Sequence, residues 1–205
     1  MSTIALATLA AAAASVSTPD YGKLIMPADY PTWALARSES ALAVVEFYVD
    51  PKGRIYDCKL IDSVGSPELA GEVCRAITKK RVSPGRLADG TAVHSFEHNA
   101  IRMWIPGGAN SDKVLKTSPA PDLEMTVRRT PAMSERIEGS LTVAVAANGA
   151  VFDCTTSPRV KPEDVAALRQ ICAQRTLLAQ PPRLDENGKP MTYVTEVRVA
   201  LIPEG

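Results

Sequence analysis

The sequence predicts an α+β fold of two tandem β-β-α-β modules, each a three-stranded antiparallel sheet packed on one helix. Three observations predict it: a stretch written twice, a change of apolar period that recurs in the same order, and a pair of cysteines placed alike in each copy. SESALAVVEFYVDPKGRIYDC, from Ser38 to Cys58, lies against SERIEGSLTVAVAANGAVFDC, from Ser134 to Cys154, sharing Ser-Glu, Gly, an aromatic-Asp-Cys triplet and alternating valines. Further along, Cys74 lies against Cys172, Pro84 against Pro182 and Gly90 against Gly188, so the second copy carries two extra residues between its cysteines.

In the first copy Val45, Phe47 and Val49 alternate as a strand, Pro51-Lys52-Gly53 turns, and Ile55 to Ile61 forms the second strand of a hairpin. Ser66-Pro67-Glu68 reads as an N-cap, a proline at the first helical position and an acid in the first turn. Leu69, Val73, Cys74 and Ile77 follow at helical spacing, and basic Lys79, Lys80 and Arg81 suit the C-terminal end. Pro84-Gly85 stops the helix, Asp89-Gly90 turns, and Ala92 to Trp104 is long enough for a third strand. The second copy repeats the order with Leu141 to Val145, Ala150 to Thr155, a helix over Pro162 to Leu177, the Asn187-Gly188 turn and Met191 to Ile202. Module 1 therefore spans 29–106 and module 2 spans 131–205. The linker 107–130, rich in Gly, Pro, Ser and Asp, holds one short strand near Leu123 to Val127. Each module is small enough that a covalent tie is expected beside its own separate core.

Composition narrows the function classes. Lys plus Arg and Asp plus Glu both number 23, so the chain lacks the basic field that nucleic acid attracts. Residues 1–17, MSTIALATLAAAAASVS, carry no charge and turn from apolar to small residues as a signal peptide does, although no Lys or Arg stands at the start. Its apolar run is about half the roughly 20 residues of a spanning helix, so export without a stable membrane span is expected, with Pro19 following in an extended or loose segment.

Four cysteines permit three pairings. The repeat pairs Cys58 with Cys74 and Cys154 with Cys172, strand to helix within each copy, where each tie stabilises its module by roughly 3 kcal/mol in the chain-entropy model. The alternative is four reduced, buried thiols in a cytosolic chain. Zinc binding is disfavoured because no CxxC or CxxH spacing occurs, and no other metal or cofactor is expected.

The first copy resembles the TonB C-terminal domain family through Tyr30-Pro31 with Ala34 and Arg37, VEFYVDPKGRIYDCKLIDSVG from Val45, SPELAGEVCRAI from Ser66, and RVSPGRLADGTAV from Arg81. The second resembles it more weakly: EGSLTVAVAANGAVFDC keeps the opening pattern, but the Tyr-Pro start is missing. The resemblance implies a periplasmic protein whose final strand pairs with a short extended peptide from an outer-membrane transporter or other envelope partner, with a link to TonB-type transport. A three-stranded sheet leaves such an edge unpaired. The implied edge residues are Val93, Ser95, Glu97, Asn99 and Ile101 in the first copy, and Tyr193, Thr195, Val197 and Val199 in the second. Equally, these edges could pair with each other or with a second chain, as in a homodimer or self-associating structural envelope protein. The chain shows neither the spanning helix nor the long Pro-rich spacer of an energy transducer.

Catalysis has few candidates. His94 and His98 share a strand face, with Glu97 nearby, but such histidines more often line a solvent face. Glu163 and Asp164 suit a helix N-terminus better than an acid-base pair, and no GxSxG or GxGxxG occurs. The chain is expected not to be an enzyme. Trp33 and Trp104 are expected in the small core.

Overall fold

The computed structural model describes residues 15–128 and 135–204. The predicted signal segment falls mainly on residues 1–14, outside the described residues. A short helix α1 (Thr32–Ala36) precedes the hairpin of β1 (Ala41–Val49) and β2 (Ile55–Gly65). The hairpin turn is built by Asp50, whose carboxylate accepts the Lys52 and Arg54 main-chain N–H groups at 2.9 Å. Gly53 is required there: its φ is +80°, and a Cβ would meet the Val82 carbonyl at 1.9 Å. Helix α2 (Pro67–Ile77) follows, with Ser66 Oγ accepting the Leu69 N–H, and it buries Leu69, Ala70, Val73 and Ile77. Then come β3 (Gly85–Arg86) and the long β4 (Ala92–Met103).

The connecting segment carries helix α3 (Ser111–Lys116), which no sequence pattern announced, and β5 (Leu123–Val127), which one did. The second half runs β6 (Ile137–Val145), β7 (Val151–Thr156), α4 (Val165–Ala173) and β8 (Tyr193–Pro203). Helix α4 is shorter than the expected Pro162 to Leu177. Gln174 leaves helical dihedrals, and the chain tightens into a 3-10 turn over Arg175–Leu178 that buries Leu178. Among the acids, Asp164 takes the N-cap position of α4 without a side-chain capping bond.

The two expected three-stranded sheets are one eight-stranded sheet, ordered β2-β1-β4-β8-β6-β7, with β3 beside β4 and β5 beside β8. The final strands of the two halves meet in parallel, His94 opposite Tyr193 and Ser95 opposite Val194. An open strand edge is a row of unpaired donors and acceptors, and two such edges satisfy one another when they meet. The antiparallel register sets Phe47 opposite Glu97, so Ser95 and Glu97 look toward the α2 side while Phe96 looks away. Phe96 belongs to the other core, with Leu141, Val143, Tyr193, Leu168 and Ile171, so α2 and α4 cover opposite faces of the sheet.

Separate cores were expected, and the halves do keep distinct clusters under α2 and α4, but a third cluster joins them. There Val16 is buried against Ala144 and Val194, with Leu87 and Val93 packed alongside. Ser17 exchanges main-chain hydrogen bonds with Arg86, Pro19 is buried rather than loose, and Tyr21 stands edge-on against Phe47. Residues 16–21 thus strap the second half to the first. Across the sheet, the Arg183 guanidinium lies 3.1 Å from the Phe96 ring centre, and Nη1 donates to the Tyr48 hydroxyl at 2.9 Å. Trp33 is half-buried against the first core as expected, whereas Trp104 is 40% exposed, because the strand ends at Met103 before it.

Candidate functional site

The strands expected to offer free edges form the junction of the molecule. Val93 pairs with Gly85, Ser95 with Val194, and Tyr193 with His94. Val199 pairs on one side with Gly139 and on the other with Leu123. Glu97, Asn99 and Ile101 lie opposite Phe47, Val45 and Ala43, and Thr195 and Val197 opposite Val143 and Leu141. Seven of the nine side chains are buried, and Val93 and Asn99 are half-buried. Of the two readings held equally, a free edge for an extended peptide and pairing of the edges with each other, the second describes His94 and Ser95 against Tyr193 and Val194, because two receptive edges satisfy one another.

The junction is a fork. The β4–β8 ladder ends at Ser95, and the strands then splay. On the β8 side, β5 fills the opening in parallel from Leu123–Val199 to Val127–Pro203. On the β4 side, among the described residues, no strand pairs with Phe96–Met103 on the edge away from β1. The segment from Thr117 to Asp122 passes beside this rim, held by Arg102, which donates to the Val114 and Thr117 carbonyls, and by Asp122 near His98. Pro119 and Pro121 in that segment have no N–H to offer a ladder.

Asp122 is the pin of the fork. Its Oδ2 accepts the Arg198 main-chain N–H at 2.8 Å and Nε at 3.1 Å, its Oδ1 accepts Nη2 at 2.7 Å, and its own N–H donates to the Arg198 carbonyl at 2.9 Å. His98 Nδ1 stands 3.4 Å from Oδ1. Burial by itself would raise the Asp122 pKa; the hydrogen bonds from His98 and Arg198, with the Arg198 charge, overcome it and hold the carboxyl well below the usual carboxylate range.

On the α2 side of the same junction, Glu97 is buried beside Tyr21 and Ser95. Among the described residues, Glu97 Oε1, Tyr21 Oη and Ser95 Oγ have no hydrogen-bond partner within bonding geometry. Burial pushes the Glu97 carboxyl up to about 8 against the opposing effect of the neighbouring Tyr21; the Glu196 charge adds to the rise, and Ser95 and Arg159 oppose it less. The histidines do not converge: His94 stands edge-on to Tyr56, 6.4 Å between ring centres, while His98 turns to Asp122 and Arg198. Among the described residues no three His, Cys, Asp or Glu side chains gather as metal ligands do.

Away from the fork, Cys58–Cys74 ties β2 to α2 with Cα atoms 5.5 Å apart, and Cys154–Cys172 ties β7 to α4 at 5.4 Å. These are the strand-to-helix pairings that the repeat indicated. Asp122 and Arg183, which organise the junction, were not singled out in the sequence. Asp122 stands in a Pro-rich stretch that reads as loop, and Arg183 in a segment with no apolar period; only contacts between the halves reveal either.

Comparison with known proteins bears on the half that carries β1 to β4. Residues 26–102 match the family model of the Gram-negative bacterial TonB protein C-terminal. The match covers less than half of the chain and ends within β4, so it contains the hairpin, α2 and most of the rim strand, while β5 to β8 lie outside it. No curated protein and no solved structure is detectably similar to the chain. No helix of the described residues is long and apolar enough to cross a membrane.

Proposed function

We propose that the protein is a periplasmic, non-catalytic binding module of the cell envelope, which captures an extended segment of a partner protein along the rim of β4. The carrying observation is the unladdered edge of Phe96–Met103 within or beside the stretch that resembles the TonB C-terminal. An added strand gains main-chain hydrogen bonds there, and its alternate side chains supply specificity. On this reading residues 131–205 are a divergent second copy of the module 29–106, an export signal within the expected 1–17 ends ahead of Val16, since Val16 and Ser17 are built into the fold, and the disulfides fit an oxidising compartment. The copies then differ in use: β8 is covered by β4 and β5, whereas β4 keeps a partner-accepting rim.

The test is a titration of the isotope-labelled full chain with extended peptides from periplasm-facing segments of outer-membrane transporters, followed by NMR. Amide shifts concentrated in Phe96–Met103, with new protection from exchange there, are expected of a binding peptide. Binding that leaves this rim unshifted would overturn the reading.

Self-association is the second reading, favoured by β2, an outermost strand on which Leu60 and Ile61 are exposed. Two irregularities of register and the charges of Asp57, Lys59 and Asp62 oppose it. A dimer in sedimentation that Ile61→Lys abolishes would support it over the first.

A further inference from the structure

We infer that β5 is a built-in stand-in for a ligand, and that β8 is a second strand-accepting site for an extended segment carrying an acid followed by apolar residues at alternate positions. The inference rests on the reading of sheet-edge capture but concerns a different strand, one whose edge is already occupied by a segment of the chain itself.

The resident strand shows what the site takes. Residues Asp122 to Val127, DLEMTV, lie parallel to β8, Leu123 opposite Val199 and Val127 opposite Pro203. Leu123, Met125 and Val127 pack against the second core, while Glu124 and Thr126 face solvent, the alternation of a strand laid on an edge. Asp122 at the head is held by three donors of Arg198. The hold is otherwise light: the three apolar side chains are only half-buried, and the strand has five residues. Glu124 adds one ion pair to Arg136, at 3.1 Å between partly exposed groups, which contributes little. No strand pairs with the other edge of β5 among the described residues.

A short, half-buried strand that makes main-chain bonds to one neighbour can be replaced by an external segment making the same bonds. Because β5 is covalently attached, it competes at high effective concentration and lowers the apparent affinity of anything that must displace it. The recognised segment is therefore acid, apolar, any, apolar, any, apolar, entering parallel to β8 with its acid on Arg198. On the β4 rim the basic side chains are already engaged, His98 by Asp122 and Arg102 by the Val114 and Thr117 carbonyls, so the two edges select different partners.

The experiment uses the full chain and a fluorescent peptide of residues 119–128, PAPDLEMTVR. A Leu123→Asp/Met125→Asp variant, whose own β5 is weakened, should bind this peptide about tenfold more tightly than the unmodified chain. Changing the peptide's aspartate to alanine should cost about tenfold. A nitroxide at the peptide N-terminus should broaden amides near Arg198, and one at the C-terminus those near Pro203. If the double variant loses its fold by circular dichroism, Asp122→Ala in the chain serves instead, since it releases the pin without removing apolar contacts. Equal affinity for variant and unmodified chain, or broadening in the antiparallel sense, would overturn the inference. Peptide on β8 with nothing ever bound to Phe96–Met103 would sustain this inference and remove the reading above; envelope peptides on that rim alone would do the reverse.

Discussion

Glu97 carries the strongest consequence at the scale of single residues. Its carboxyl is buried opposite Phe47, and its raised value, about 8, means that the folded state keeps a proton which the unfolded chain releases near 4.5. Between those two values the folded state binds more protons, so stability falls as pH rises from about 4.5 to about 8 and is flat above. Glu97→Gln removes the ionisation while keeping the shape. Its stability should be almost independent of pH in this window, and at pH 8 it should exceed the unmodified protein by up to about 5 kcal/mol in urea melts. A variant with the same pH slope as the unmodified chain would contradict the assignment. Asp122 behaves oppositely: its pKa is depressed, so its contribution is present above 3.8 and lost only in strong acid. None of this was legible in HSFEHNAIR, which reads as a polar strand facing solvent. The burial of Ser95 and Glu97 is created by residues far away in sequence, at the N-terminal strap and on β8.

Among the elements, helix α2 was fully legible, because Ser66, Pro67 and the Leu69, Val73, Ile77 stripe state its start and its buried face locally. β5 was legible too, as a short alternating run between prolines. The β1–β2 and β6–β7 hairpins came out longer than their alternating cores suggested, since ladder pairing carries polar residues along with the valines. Helix α4 was overestimated because its apolar period runs on through Leu177, while the backbone breaks at Gln174. The cysteine pairs were legible only through the repeat, which places both partners in the same two elements twice. Each tie closes a loop and restricts the unfolded chain, so a Cys58→Ala/Cys74→Ala double variant should lose about 3 kcal/mol in denaturant titrations. An unchanged midpoint would show that the α2–sheet packing is sufficient without it.

At the scale of the whole molecule, the sequence indicates two units but not how they join. The parallel meeting of β4 and β8, the Arg183 stack and the strap of residues 16–21 are all contacts between halves, and no local period encodes them. They couple the two cores into one sheet with a helix on each face. Val16→Asp places a charge against Ala144 and Val194 and should cost about 3 kcal/mol while lowering the stability of both halves together, seen as one cooperative transition by probes in each. Separate transitions, with only one displaced, would contradict the coupling.

The central claim is that β4 and β5 close the edge of β8 at Tyr193–Val194 and Val199–Pro203, while the edge of β4 stays unladdered from Phe96 to Met103. Residue-resolved amide exchange of the free full chain tests it most directly. Slow exchange is predicted throughout Val194 and Val199 to Ile202, with every second amide of Phe96–Met103 exchanging fast. Uniform protection along β4, or fast exchange along the β5-facing edge of β8, would contradict it.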